Sequence, residues 1–158
     1  MLSTPHLLVG AAIVKSIPNP AISLPAAFFS HFLLDAVPHW DGSPEAPFSK
    51  KIIGGAIADY LFGASLIFLL TKGDTGQTLI LFGAFLGTLP DFILAFSRHF
   101  ITEIEKIPIL KRFNAYHSNI QISVRFSRGV LTAFATCLVA LIILIWFFPR
   151  TQNFEYQL

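Results

Sequence analysis

Long apolar runs separated by short polar connectors dominate the chain and set its class. Windows 52–71, 78–97 and 129–148 are each almost wholly apolar over about 20 residues, the length an α-helix needs to cross the hydrocarbon of a bilayer. Two further runs, 5–17 and 20–37, are shorter or interrupted by proline; the first could cross if tilted little or sheltered by its neighbours. Polar connectors occupy 38–51 and 98–128, and Lys72-Gly73-Asp74-Thr75-Gly76 forms a tight turn. Within the longer connector, Phe100, Ile101, Ile104, Ile107, Leu110 and Phe113 recur at helical spacing, with Glu103, Glu105, Lys106, Lys111 and Arg112 between them. That spacing predicts a helix over about 100–113, lying on the membrane surface and bent at Pro108. The expected fold is therefore all-α: one membrane domain, 1–158, built as an integral membrane bundle of about five helices plus an interfacial amphipathic helix.

Composition supports that class and excludes others. Hydrophobic residues make up 54% of the chain and charged residues only 13%, outside the range of soluble globular domains. A net charge of +2 is too small and too dispersed for nucleic acid to be the main partner, so membrane lipids are the expected partners. Cys137 stands alone in an apolar run, which leaves no disulfide framework and no paired-cysteine metal or redox motif. The N-terminus lacks the basic start of a signal peptide and carries Pro18, Pro20 and Pro25 in its apolar stretch, so this segment is expected to stay on the mature chain. The long connectors fall on one side and hold Lys50, Lys51, Arg98, Lys106, Lys111, Arg112, Arg125 and Arg128; the other side holds Lys15, Lys72 and Arg150. Positive charge collects on the cytoplasmic side, which predicts an inner or cytoplasmic membrane location with the long connectors in the cytoplasm.

On that topology the ionisable residues converge. Ser30-His31-Phe32-Leu33-Leu34-Asp35-Ala36-Val37-Pro38-His39-Trp40-Asp41 closes the second run, and His31 and Asp35, four apart, share one helix face. His6 begins the first helix, Asp59 sits two turns into the third, and Asp91 follows Pro90 near the end of the fourth. All five fall in one layer near the cytoplasmic side. A charge in hydrocarbon costs about 2.5–3.5 kcal/mol even on insertion scales, and a shared divalent cation would satisfy several such groups together. Imidazole nitrogen with carboxylate oxygen suits zinc first, with manganese or iron as alternatives. The expected metal ligands are His6, His31, Asp35, Asp59 and Asp91. Beyond Pro38, His39 and Asp41, together with His117 in the later connector, could add ligands or move protons. A histidine bonded to its own aspartate, an interfacial Trp40 anchor and a solvated His117 are the plainer alternatives; His99, beside Arg98, reads as interfacial.

An internal similarity pairs 5–13 with 58–66, each followed by a helix ending in Leu-Leu-Asp35 or Leu-Pro-Asp91. Each half would be a helical hairpin with a polar residue near its start and an aspartate near its end, although chance likeness among apolar helices is common.

Thr4-Pro5-His6, Gly87-Thr88-Leu89-Pro90-Asp91 and His117-Ser118 together resemble motifs of the membrane-bound metal-dependent hydrolases of the YdjM and DUF457 type. The likeness spans 4–119 through short motifs. The sequence departs from that pattern where Phe92 and Ile93 follow Asp91 in place of a second acidic residue, and where only Tyr116-His117-Ser118 remains of a longer histidine motif. His31-x-x-x-Asp35 is also similar to the helical motif of the zinc-dependent phospholipase C and P1 nuclease group. These resemblances imply a helical membrane hydrolase holding one or two divalent metals. A phosphoester of a lipid or another anionic substrate is the expected substrate class, with Lys50, Lys51, Lys111 and Arg112 attracting an anionic head group. A metal-ion or proton transporter and a non-catalytic membrane scaffold are the competing classes. The outer halves of the third and fourth runs, nearly devoid of polar groups, favour hydrolysis over transport.

Overall fold

The computed structural model describes residues 1–40, 50–99 and 106–146. Among them are six helices and no named strand: α1 Ser3–Ser16, α2 Pro20–Asp35, α3 Lys50–Leu70, α4 Gln77–His99, α5 Pro108–Ile120 and α6 Phe126–Trp146. Three of these, α3, α4 and α6, are long and apolar enough to cross a membrane. With 14 and 16 residues, α1 and α2 reach about 21 and 24 Å at 1.5 Å per residue, short of a hydrocarbon core of about 30 Å. The expectation of about five crossing helices thus reduces to three of full membrane length. The cause is local: the Ile17–Pro18–Asn19 break separates α1 from α2, and Pro38 disfavours helix in the residue before it, so α2 ends at Asp35.

The shortest of these five apolar helices, α1, lies at the centre. It packs against α4, α6, α2 and α3, and Leu7, Leu8, Ala11, Ala12 and Val14 are buried. Apolar side chains gain little by leaving lipid for protein, so association there depends on close packing of small residues. Glycines supply it here. A Cβ on Gly87 of α4 would stand 2.6 Å from the His6 carbonyl oxygen, and one on Gly63 of α3 would stand 2.8 Å from Leu7 Cδ1. Gly87→Ala should therefore push α1 off α4 and lower stability by about 1–3 kcal/mol, the usual cost of overpacking. Gly54→Ala meets open space and should be neutral or slightly stabilising. Thermal unfolding of both variants in detergent checks the contrast.

Phe29, Leu33, Phe62, Leu69, Leu131 and Phe134 each stay more than half exposed. So extensive an apolar surface suits lipid rather than water.

At one end of the bundle the Lys15 ammonium pairs with Asp74 at 2.8 Å, joining the end of α1 to the turn between α3 and α4. That turn reverses at Gly73, whose φ of +88° is left-handed and suits glycine. The opposite end carries the polar layer and α5. Pro108, expected as a bend in a helix over 100–113, instead occupies the first turn of α5, where its missing N–H and fixed φ are favourable. Positions 100–105 lie outside the described residues.

More than a surface position holds α5. Asn114 Nδ2 donates to Ser97 Oγ of α4 at 2.6 Å, and the Phe113 ring meets Phe32 edge-on at 5.8 Å. The segment leaving α5 is stitched to the end of α2: Ile122 N–H donates to Asp35 O (3.1 Å), His39 N–H to Ile122 O (3.0 Å) and Val124 N–H to His39 O (2.9 Å). These bonds latch α5 over the mouth of the bundle.

Candidate metal centre

Asp35, at the last position of α2, is the hub. Its carboxylate is fully buried and its two oxygens face different partners. Oδ2 lies 3.0 Å from His117 Nε2 and 3.1 Å from His31 Nε2. Oδ1 lies 3.3 Å from His6 Nε2, 3.8 Å from His39 Nε2 and 3.1 Å from the Met1 nitrogen. The 3.6-residue period accounts for His31, one turn before Asp35. α1 contributes His6, whose ring stacks on that of His31 with centroids 4.2 Å apart. α5 lowers His117 from above.

Asp91 completes the group from α4. Its Oδ1 is 3.4 Å from His117 Nε2 and 3.5 Å from His31 Nε2, while the two imidazole nitrogens are 2.9 Å apart. One ligand atom from each of His31, Asp35, Asp91 and His117 falls within 4.8 Å of all the others, so these four could hold a metal ion. The separations fit: ligands about 2.0–2.2 Å from a tetrahedral cation stand about 3.3–3.6 Å apart, and adjacent octahedral ligands about 3.0 Å.

Hydrogen bonding fixes the chemical character of the site. The Gly87 carbonyl can only accept, so His31 Nδ1, 2.8 Å away, carries a proton and donates it. In a neutral imidazole the other nitrogen, Nε2, then presents a lone pair, and it does so toward two carboxylate oxygens and a second imidazole. His39 repeats the pattern, with Nδ1 donating to Val37 O at 2.7 Å and Nε2 turned toward Asp35. An Nδ1–H bonded to a carbonyl, with the proton of the neutral ring thus kept off Nε2, is the arrangement that orients metal-ligating histidines. So many lone pairs aimed at one another require a cation, whether a metal or added protons.

The remaining sequence-derived candidates are placed as follows. His6 is buried beside Asp35, and neither of its ring nitrogens makes a hydrogen bond. His39, beyond Pro38 and the end of α2, is buried against the second oxygen of Asp35. Asp59 stands apart from the four-residue group: its carboxylate accepts from Thr4 N–H at 3.0 Å and from the Thr4 hydroxyl at 2.8 Å. It thereby caps the N-terminus of α1, which has no side-chain cap of its own. Asp41 lies outside the described residues.

Some contributors escaped sequence reasoning. Gln121 Nε2 reaches Asp35 Oδ2 at 3.4 Å, from a position with no motif to mark it. The Gly87 carbonyl orients His31, and only its neighbourhood to Pro90-Asp91 hinted at a role. Asp59→Ala should lower stability by about 1–2 kcal/mol through loss of the cap and leave metal content unchanged. Unfolding and elemental analysis of that variant separate a cap from a ligand.

Fold and site together define a small all-helical chain with membrane-length helices and a buried histidine–aspartate group at one end. No family model matches the chain, and no curated protein or solved structure matches it.

Proposed function

We propose that the chain is a membrane-embedded, metal-dependent hydrolase acting on a phosphoester of a lipid or other anionic substrate. The observation that carries this reading is the His31 ring, held by Gly87 so that its Nε2 lone pair meets Asp35, Asp91 and His117. These four residues would hold the cation, and their two-imidazole, two-carboxylate set suits zinc best, with manganese or iron next. A divalent cation bound there supplies Lewis acidity and lowers the pKa of bound water toward neutrality. Asp35 bridges that position to His6 and His39 through its second oxygen, so those imidazoles are within one carboxylate of the reacting region and can take up or return a proton.

The same reading has α1 and α2 sheltered among the membrane-length helices and the polar layer at the cytoplasmic face. There Lys50, Lys51, Lys111 and Arg112 favour an anionic head group. Transport is disfavoured by the apolar core of Leu7, Leu8, Ala11, Ile67, Ala84 and Leu144, which among the described residues lies between the polar layer and the Lys15–Asp74 pair.

A panel of phospholipids, lipid phosphates and nucleotides offered to the protein in detergent tests the proposal. Hydrolysis of at least one member is expected. A chelator should abolish it and added zinc restore it. Metal uptake into sealed vesicles with no hydrolysis would instead mark a transporter.

A further inference from the structure

We propose that the groove between α3 and α4 receives the apolar chain of an anionic lipid and presents its head group to the metal site at Asp91. This deepens the hydrolase reading and rests on it for the chemistry of the head group, though not for occupancy of the groove.

The site is closed on nearly every side. His6, His31, Asp35, His39 and His117 have no exposed surface, whereas the Asp91 side chain keeps 35% of its own. Among the described residues, whatever reaches the four-residue group must therefore pass Asp91. That partly exposed carboxylate lies in the wall of a cavity of about 400 Å³ between α3 and α4, within the range of about 300–1,000 Å³ common for small-molecule sites. Apart from Asp91, its polar lining is confined to Ser3, Tyr60 and Thr88; Ile53, Ile57 and Leu61 face Phe92, Ala95 and Phe96 across it. The groove exists because α3 leans on α1 and touches α4 only sparsely. Tyr60 and Phe92, edge to face at 5.3 Å, bridge the two helices beside it.

Three features select a lipid as the occupant. Both walls belong to helices long and apolar enough to cross a membrane, so the groove opens sideways, where acyl chains lie. Past Leu61, Ala64, Phe68 and Leu69 of α3 and Leu81 of α4 line a further opening along the same pair of helices, giving a chain a path into the bilayer. At the other end, exposed Lys50 and Lys51 immediately precede Ile52 and Ile53 of the lining, placing positive charge where an anionic head would emerge. A second cavity of about 500 Å³, between α1 and α6, meets no ionisable side chain and lacks this polarity.

Phosphatidic acid carrying a diazirine in one acyl chain is the probe, added to the full chain in neutral-lipid nanodiscs, with cross-links mapped by mass spectrometry. Labelling is expected at Ile57, Tyr60, Leu61 and Phe96. Unlabelled phosphatidic acid should suppress it and glycerol 3-phosphate should not. Ala56→Trp and Ala95→Trp, which fill the groove from either wall, should each cut labelling by about tenfold or more with metal content unchanged. Labelling spread evenly over α3, α4 and α6, or suppressed equally by glycerol 3-phosphate, would overturn the proposal. Groove labelling in a protein that binds no metal and hydrolyses nothing would uphold the lipid groove and overturn the hydrolase reading.

Discussion

Asp35→Ala should empty the metal site and destabilise the polar end of the bundle together, the largest effect of any single substitution in this chain. Among the described residues its carboxylate is the one group approached by all of His6, His31, His39 and His117, and it is wholly buried. Removing one partner of a buried charged constellation costs about 3–5 kcal/mol, because the groups left behind cannot recover their hydration. A metal bound there would add to that figure, since a site formed only in the folded chain contributes its binding energy to folding. Thermal unfolding in detergent should show a large fall, and elemental analysis should show no metal above background. A variant that retains metal and unfolds like the parent would remove Asp35 from the centre of the account.

Asp91→Asn should separate metal binding from folding. Unlike Asp35, Asp91 is partly exposed, and its contacts to His31 and His117 are the longest in the group at 3.5 and 3.4 Å. The amide keeps the shape and removes the charge. Stability of the metal-free protein should change by less than about 1 kcal/mol, whereas metal affinity should fall by more than the 10–100-fold typical of losing only an outer partner. Titration of zinc into metal-free wild type and variant measures this. Equal affinities would show that Asp91 is a neighbour of the site and not a ligand.

Much of the architecture could be read from periodicity. Apolar windows at 52–71, 78–97 and 129–148 correspond to α3, α4 and α6, because about twenty apolar residues without a strong break have few alternatives to a helix. His31 and Asp35 were legible as one face for the same reason: a spacing of four needs only helical geometry. Asp59 was not. An aspartate within an apolar helix looks alike in sequence whether it turns to a metal or to the N-terminus of another helix, and only the approach of Thr4 across the bundle decides between them.

The position of α5 was equally hidden. Its alternating apolar and basic residues suit a membrane surface, but what places His117 over Asp35 is a set of backbone bonds between 122–124 and the end of α2. Backbone groups are the same in every residue, so such a latch leaves no side-chain signature. The length of α1 was visible, while its central position was not. That position follows from Gly63 and Gly87 on other helices, whose missing side chains admit α1.

The central claim, that the buried histidine–aspartate group holds a divalent metal, is tested most directly by elemental analysis and X-ray absorption on wild-type protein purified in detergent without added metal or chelator. The expected result is about one transition-metal ion per chain, with a nitrogen and oxygen shell at about 2.0–2.2 Å, and its loss in the Asp35→Ala, Asp91→Ala double variant. Equal, negligible metal in both proteins, persisting after zinc is offered, would contradict it and leave the group as a protonated structural lock between helices.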